Sequence, residues 1–443
     1  MALVDNQWQR RVTLCALYLA QGIPWGFMLI TLPSYLAYQY RVGDHEIGLL
    51  KAIILVPWSF KLIWAPLMES FTIRSMGRRR PWIIGAELMM AVTLLGFIGL
   101  GNPSEQLNFI LYMYFLHNCF GSLQDVCTDA LAVDILPPQE QGQMNGMMWG
   151  SKLIGKGVGA WGLSHVMNMG GLEACVAVQV FLLLAIMLIP IFVLERPGEK
   201  RFPWSPVQVN LPTVRTKINP FQVFRTVLKA FSLTTTWIFI LFTLFKLVGL
   251  GINEVMTNTL YTQHLSPRWT DLEFSRASGL YATAPIILAA VLGGFLADRY
   301  GRRVILTIGF GGYGLVALIF AALPELWNER WFAMSYILSC ETLSAVASVG
   351  FLSMAMRISW TAAAATVFTI YMTLSNVSHV IGSWMAGPIR SWLTFSEYGA
   401  TATLSSYELT FWFLGFLTIA PLLFLLPVRP ERVDLARSTD STI

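Results

Sequence analysis

The sequence predicts an all-α membrane protein whose twelve transmembrane helices form two six-helix bundles. Charged residues make up only 12% of the 443 residues, about half the share of a soluble protein, while 55% are hydrophobic and the mean hydropathy is +0.58. Apolar stretches long enough to cross a bilayer, about 20 residues each, recur along the chain. Lipid must therefore be the solvent for most of the surface, which excludes a disordered chain and a soluble multidomain enzyme.

The predicted helices fall into two groups of six, separated by one long polar segment. The first group lies within 1–194 and the second within 231–428, with a linker over 195–230 and a tail over 429–443. In chain order the apolar stretches occupy 11–38, 46–66, 82–100, 108–135, 142–168 and 172–194, and then 231–262, 274–297, 304–323, 328–356, 362–390 and 406–428. This division predicts two bundles related as an internal repeat.

The distribution of lysine and arginine predicts the orientation in the membrane. When both termini and every second loop are placed on one side, that side collects about 20 of the 30 basic residues, and the opposite loops hold about five. Cytoplasmic loops carry such an excess, so we expect both termini in the cytoplasm. The net charge of +5 reflects this orientation and indicates no nucleic-acid partner.

A loop signature occurs in the second half and, in a looser form, in the first. Between the eighth and ninth stretches the order is Gly294-x-x-x-Asp298-Arg299-x-Gly301-Arg302-Arg303, and between the second and third stretches Glu69 precedes Gly77-Arg78-Arg79-Arg80. Membrane orientation alone accounts for the arginines but not for this order of carboxylate, glycine turn and arginine cluster. The pattern predicts a cytoplasmic gate formed by Glu69, Arg78, Asp298, Arg299, Arg302 and Arg303.

Ionisable residues inside the apolar stretches are the strongest indication of function. Each one costs about 2.5–3.5 kcal/mol at the centre of a membrane helix, so these side chains must face a cavity or one another. They are Lys51, Lys61, Glu87, Asp125, Asp129, Lys152, Lys156, Lys246, Glu254 and Glu341.

The fourth stretch carries two of these carboxylates on one helix face. Asp125 and Asp129 are four residues apart, and in a low-dielectric setting a proton on one of them relieves their mutual repulsion. Counting about 1.5 Å per residue from the loop that joins the fourth and fifth stretches, Lys152 reaches the depth of Asp125. We therefore predict an ion pair between Asp125 and Lys152, which either takes part in proton coupling or is purely structural.

Several motifs in the first five stretches resemble a known family. They are Gly22-Ile23-Pro24, Lys61-x-x-Trp64-Ala65-Pro66 and Gln124-Asp125-x-x-x-Asp129-Ala130, and the likeness extends to Lys246 and Glu341. These motifs resemble the peptide–acetyl-CoA–drug transporter family of the major facilitator superfamily. The resemblance implies secondary transport, commonly driven by protons, of muropeptides, siderophores or acetyl-CoA.

The predicted function is a proton-coupled symporter in the inner membrane of a bacterium, which moves a mid-sized anionic solute such as a muropeptide by alternating access. Siderophore transport, acyl-CoA transport and a non-transporting membrane sensor remain the alternatives. The expected partners are a small-molecule solute, protons and the lipid bilayer, and the protein is expected to be monomeric. Candidate residues for proton coupling are Asp125, Asp129, Glu254 and Glu341. Candidate residues for substrate binding are Trp25, Tyr35, Trp58, Lys61, Gln124, Lys152, Lys246, Asn253 and His379.

No motif of an enzyme, a cofactor site or a metal site is found in the sequence. A membrane acyltransferase would need an aspartate five residues after His117, where Ser122 stands. The chain has no G-x-S-x-G, H-E-x-x-H or phosphate-binding loop, and its five cysteines show no metal-ligand spacing. We expect neither catalysis nor a cofactor.

Overall fold

The computed structural model describes residues 2–71, 73, 75–205, 233–359, 364–396 and 403–428. In that part of the chain the regular structure is helical, and twelve helices, named α1–α12 in chain order, account for the predicted spans. The predicted tail and the linker beyond residue 205 lie outside the described residues.

The first six helices match the predicted stretches. Their bounds are Gln7–Tyr40 for α1, the consecutive segments Asp44–Leu55, Val56–Phe60 and Lys61–Ser70 for α2, Arg80–Leu95 for α3, Leu107–Ile135 for α4, and the two arms of Pro138–Phe192 for α5 and α6. Gly171 separates these two arms with a φ of 69°, a left-handed conformation that glycine adopts readily. The predicted break between the fifth and sixth stretches is therefore confirmed.

The second six helices follow the same pattern. Their bounds are Thr234–His264 for α7, Asp271–Tyr300 for α8, Arg302–Ala322 for α9, Arg330–Ile358 for α10, Ala364–Ser396 for α11 and Leu404–Leu425 for α12. Gly301 has a φ of 96° and turns the chain from α8 into α9. The glycine turn predicted in the loop signature is thus confirmed.

The helix surfaces suit a lipid solvent. Seven helical segments of the described chain are long and apolar enough to span a membrane, and one of them, Gln143–Phe192, contains both α5 and α6. Large apolar side chains are exposed on these segments, among them Phe181, Phe295 and Phe416. A water-soluble protein rarely exposes so many large apolar side chains, so the chain is an integral membrane protein. All five cysteines are free thiols.

Contacts between backbones divide the chain into two units. Unit 1 holds the described residues of 1–42, 53–212 and 270–283, and unit 2 holds those of 43–52, 213–269 and 284–443. The first turns of α2 therefore belong to unit 2, and the first turns of α8 belong to unit 1. Each unit has its own apolar core: Leu14, Leu17 and Leu131 are buried together in unit 1, and Phe239 and Phe351 in unit 2.

Glycines allow α5 to pack directly on α1 in unit 1. A Cβ atom at Gly155 would lie 2.9 Å from the carbonyl oxygen of Leu19, and one at Gly159 would overlap the carbonyl oxygen of Ile23. By contrast, a Cβ at Gly146 or Gly150 would meet nothing within 4 Å. Of these two glycine steps on α5, the one from Gly155 to Gly159 is therefore the close-packing motif.

Replacing Gly159 by alanine is expected to lower the free energy of unfolding by about 1–3 kcal/mol, because the added methyl group forces the two backbones apart. Thermal or denaturant unfolding of the purified protein in detergent measures this loss. Gly150→Ala is the matched control on the same helix, and it is expected to be neutral or to stabilise by up to about 1 kcal/mol. Equal losses in the two variants would contradict the close-packing role of Gly159.

Candidate functional site

A buried carboxylate in unit 1 is contacted by two lysines. Asp125 on α4 is 3% exposed, and Lys61 of α2 donates to its Oδ2 atom. The Nζ atom of Lys152 on α5 lies 3.3 Å from Oδ1 of the same carboxylate. The ion pair predicted between Asp125 and Lys152 is confirmed. The structure adds Lys61, which was predicted as a substrate residue and not as a partner of Asp125.

The second carboxylate of α4 has a different setting. Asp129 lies one turn beyond Asp125, is exposed, and accepts a hydrogen bond from the hydroxyl of Tyr18 on α1. Asp125 and Asp129, which their four-residue spacing predicts on one helix face, therefore contact different partners. Tyr18 was missed in the sequence, because one tyrosine among 14 carries no distinguishing signal.

A chain of side-chain amides continues from Lys152 into the unit. Lys152 donates to Oε1 of Gln21 at 2.9 Å, Gln21 donates to Gln124 at 2.5 Å, and Gln124 donates to Oε1 of Glu87 at 3.1 Å. Gln124 and Glu87 are fully buried. The predicted substrate residue Gln124 is therefore held within a polar network. Glu87 is a fully buried carboxylate of that network, and its charge within an apolar stretch of the sequence is the signal that marks it.

Aromatic rings surround the lysine ammonium groups. Trp25 of α1 and Trp58 of α2 stack with their centroids 6.2 Å apart. The Nζ atom of Lys152 lies 4.7 Å from the centroid of Trp25 and 4.6 Å from that of Trp58, and Lys61 lies 4.7 Å from Trp58. The predicted aromatics Trp25 and Trp58 therefore meet at the charged cluster. Tyr35 packs edge-on against Tyr40 near the end of α1 instead.

Unit 2 has its own partly buried polar cluster. Glu254 on α7 lies 3.2 Å from Nε2 of His379 on α11 and 3.9 Å from Nζ of Lys51 on α2. Lys51 also donates to the backbone carbonyl of Glu254 at 2.9 Å. The predicted proton residue Glu254 and the predicted substrate residue His379 are thus neighbours.

The remaining candidates of unit 2 lie in separate environments. Asn253 donates to Tyr313 at 2.8 Å and accepts from Tyr336 at 2.5 Å, so both ends of its amide are held by tyrosines. Lys246 is 3% exposed with its ammonium 3.8 Å from the centroid of Phe351, and no carboxylate of the described chain lies within ion-pair distance of it. Glu341 is half-buried on α10.

The burial of one further carboxylate, that of Asp44, was not anticipated from the sequence. Asp44, the first residue of α2, lies 2.7 Å from Nε of Arg390 on α11 and accepts hydrogen bonds from Tyr407 at 3.1 Å and from Thr259. The sequence places Asp44 in a polar loop, where a solvated side chain is the usual outcome. Only the packing of the first turns of α2 within unit 2 shows that it is buried.

The predicted gate residues differ in how far their side chains are exposed. The side chain of Glu69 lies outside the described residues, Arg78, Asp298 and Arg299 are exposed, and Arg302 and Arg303 are half-buried. The two arginines that follow Arg78 form ion pairs within unit 1. Arg79 pairs with Asp134 at 2.8 Å, and Arg80 pairs with Glu199 at 3.5 Å.

Arg80 and Glu199 attach the start of the linker to unit 1. Arg80 is fully buried and also donates to the carbonyl oxygens of Pro190 and Ile191 at the end of α6. Glu199 accepts from the backbone N–H of Glu195 at 3.0 Å. Burial, together with the nearby charge of Glu195, raises the pKa of Glu199 to about 7.

The contribution of Glu199 to the stability of the folded state is expected to fall as the pH rises. Because the folded state binds the proton of Glu199 more tightly than the unfolded chain, this contribution to stability is present below the ordinary pKa of a glutamate and is lost as the pH rises through about 7. Glu199→Gln should therefore show a smaller fall in melting temperature between about pH 5 and pH 8 than the wild type does. The control is Glu105→Gln in an exposed turn; if both variants keep the wild-type pH dependence, Glu199 is not its source.

In the described part of the chain, no three His, Cys, Asp or Glu side chains are arranged to hold a metal ion.

Three comparisons relate this chain to known proteins. The family model of the Major Facilitator Superfamily matches residues 14–383. The chain is 22% identical over 453 residues to the anhydromuropeptide permease of Escherichia coli (strain K12), covering 99% of this chain and 83% of the permease. It is 24% identical over 294 residues to the putative transporter AmpG 4 of Rickettsia conorii, covering 63% of this chain and 67% of that protein.

The helical arrangement also matches a solved structure. The D-xylose–proton symporter superposes with a TM-score of 0.72 at 13% identity, over 96% of this chain and 98% of the symporter. At that identity the match shows the fold alone. The relatives and the fold are those of transporters and not of enzymes.

Proposed function

The chain belongs to the Major Facilitator Superfamily, and from that premise we propose that this transporter is a proton-coupled symporter of a mid-sized anionic solute such as a muropeptide. The observation that carries the proposal is the buried cluster of Lys61, Asp125 and Lys152 in unit 1. Charges at this depth are costly in a bilayer, and in membrane proteins they usually mark solute or proton pathways.

In this proposal the carboxylates carry protons. Asp125 exchanges its lysine partners for a proton during the cycle, and Asp129 and Glu341 are further proton carriers. In unit 2 the contact between Glu254 and His379 supports the same role for Glu254, because a histidine beside a carboxylate can exchange a proton with it.

The lysines supply counter-charges for the solute. Lys61, Lys152 and Lys246 are buried or partly buried, and Lys246 has no carboxylate partner among the described residues. A buried ammonium without a carboxylate is stabilised when an anionic ligand arrives. The lysines of each unit therefore favour an anionic solute, and the similarity to the anhydromuropeptide permease of Escherichia coli supports a muropeptide over a siderophore or an acyl-CoA.

We place the protein in the inner membrane of a bacterium with both termini in the cytoplasm and as a monomer. The excess of basic residues on the side of the termini supports this orientation. The ion pairs of Arg79 and Arg80 lie on the same side and support a cytoplasmic gate there. Labelling of single cysteines introduced into the loops, with an impermeant reagent, tests the orientation.

Uptake into proteoliposomes tests the function. The purified protein is reconstituted, an inward proton gradient is imposed, and accumulation of labelled anhydromuropeptide is followed with a ferric siderophore and acetyl-CoA as competitors. We expect accumulation that collapses when a protonophore dissipates the gradient. Competition by only one of the other ligands would reassign the solute, and no accumulation of any of the three would favour the sensor.

A further inference from the structure

Four aromatic rings enclose the ammonium of Lys152. Its Nζ atom lies 4.7 Å from the ring centroid of Trp25, 4.6 Å from Trp58, and 5.7 Å from both Tyr18 and Trp149. Each distance is within the range of a cation–π interaction, for which about 6 Å is the limit. We call these four residues the aromatic cage. Proteins that recognise alkylated ammonium ligands bind them within such rings.

Asp125 has a second lysine partner besides the one that the cage holds. The carboxylate of Asp125 already accepts from Lys61, so Lys152 is the second ammonium on one carboxylate. Besides its contacts with Asp125 at 3.3 Å and Gln21 at 2.9 Å, this ammonium faces aromatic rings. A different cation could therefore take its place in the cage while Asp125 keeps its pair with Lys61.

The cage also presents an unused hydrogen-bond donor. The indole Nε1 atom of Trp25 is buried, and it has no acceptor among the described residues. A buried donor without an acceptor is rare in native proteins, since it costs about 1–3 kcal/mol. An oxygen atom of a bound ligand would satisfy it. Among the four cage residues Trp149 is the most exposed, at 42%.

We propose that the aromatic cage is the recognition site for an amine group of the solute, and that Lys152 fills it only while the transporter is empty. The inference rests on the proposed transport function. The solute ammonium displaces Lys152 from the four rings, and the released Lys152 pairs with a carboxylate of the same solute, one of whose oxygens also accepts from Trp25. The solute class is therefore a zwitterion that carries an amine and a carboxylate, such as a peptide.

This exchange favours zwitterions over simple anions for a physical reason. A zwitterion replaces one cage cation by another and provides an anion for the displaced lysine, so no charge is left unpaired in a low-dielectric site. An anion without an amine cannot displace Lys152, and a cation without a carboxylate leaves Lys152 without a partner. Glycine betaine, tetramethylammonium and acetate represent these three cases.

Binding of these three probes to the detergent-purified full chain tests the cage, with quenching of tryptophan fluorescence as the readout. Lys152→Met removes the tethered cation, and we expect it to bind tetramethylammonium about tenfold more tightly than the wild type does. Adding Trp25→Leu to this variant should abolish the gain. Lys156→Met, one turn further along α5, makes the same change of charge and is expected to leave tetramethylammonium binding at the wild-type level.

An unchanged tetramethylammonium affinity in Lys152→Met overturns the proposal. The wild type provides a second measurement that needs no Lys152 variant: glycine betaine should bind more tightly than acetate, and Trp25→Leu should remove the difference, whereas equal binding overturns the cage. Uptake of labelled anhydromuropeptide by the wild type is measured in parallel. Uptake without the binding differences refutes the cage alone, and binding differences without uptake refute the proposed function alone.

Discussion

Replacing Asp125 by asparagine is expected to abolish proton-driven uptake and to destabilise the protein by about 3–5 kcal/mol. The asparagine keeps the shape of the side chain but leaves the ammonium groups of Lys61 and Lys152 without the carboxylate that both contact. The loss in stability is measured by unfolding in detergent and the loss in transport by proteoliposome uptake.

A double variant separates the two consequences of this change. Asp125→Asn combined with Lys152→Gln removes one uncompensated cation, so we expect part of the stability to return while uptake stays absent. Asp129→Asn, one turn away on an exposed position, is the matched control and should cost less stability. Full uptake and unchanged stability in Asp125→Asn would refute a role for this carboxylate in either property.

Replacing Lys246 by methionine is expected to have effects of opposite sign on stability and on function. Lys246 is 3% exposed against the ring of Phe351, and no carboxylate of the described chain pairs with it. A well-packed apolar side chain of similar length removes a buried charge, so the variant should be more stable by about 1–4 kcal/mol. Uptake of an anionic solute should fall at least tenfold, because a counter-charge is lost.

Lys51 provides the control for this prediction. It is also 3% exposed and belongs to unit 2, but its ammonium donates to the carbonyl of Glu254 and faces the carboxylate of that residue. Lys51→Met should therefore lower the melting temperature, while Lys246→Met raises it. If both variants are destabilised alike, Lys246 is a structural residue with a compensated charge.

The positions of the helices were predictable from the sequence because insertion into lipid depends on local composition. A run of about 20 apolar residues is favourable in a bilayer wherever it occurs, so hydropathy alone locates most helix ends to within a few residues. Glycines mark turns for an equally local reason. Gly171 and Gly301 both have positive φ values, which other residues rarely adopt, and each stands where a break was expected.

The sequence also predicted which charged residues lie within the helices, but it predicted only some of their partners. Counting residues along α4 and α5 from the loop that joins them places Asp125 and Lys152 at the same depth, because the rise per residue is constant in a helix. No such count relates Asp125 to Lys61, because α2 changes from an α-helix to a tighter turn over Val56–Phe60 and shifts the following residues around the axis. Asp44 was missed because its burial depends on which unit the first turns of α2 join.

The sequence by itself determined that lipid surrounds this chain. It also determined which segments form the membrane helices and which few charges require a functional explanation. These properties follow from the transfer free energies of single residues and from neighbours along the chain. The tertiary structure decided which charges share a carboxylate and that four rings from α1, α2 and α5 enclose Lys152. Such contacts depend on the rotation of each helix about its own axis and on the distance between neighbouring helices. Close backbone contacts, such as the one at Gly159, determine both the rotation and the distance.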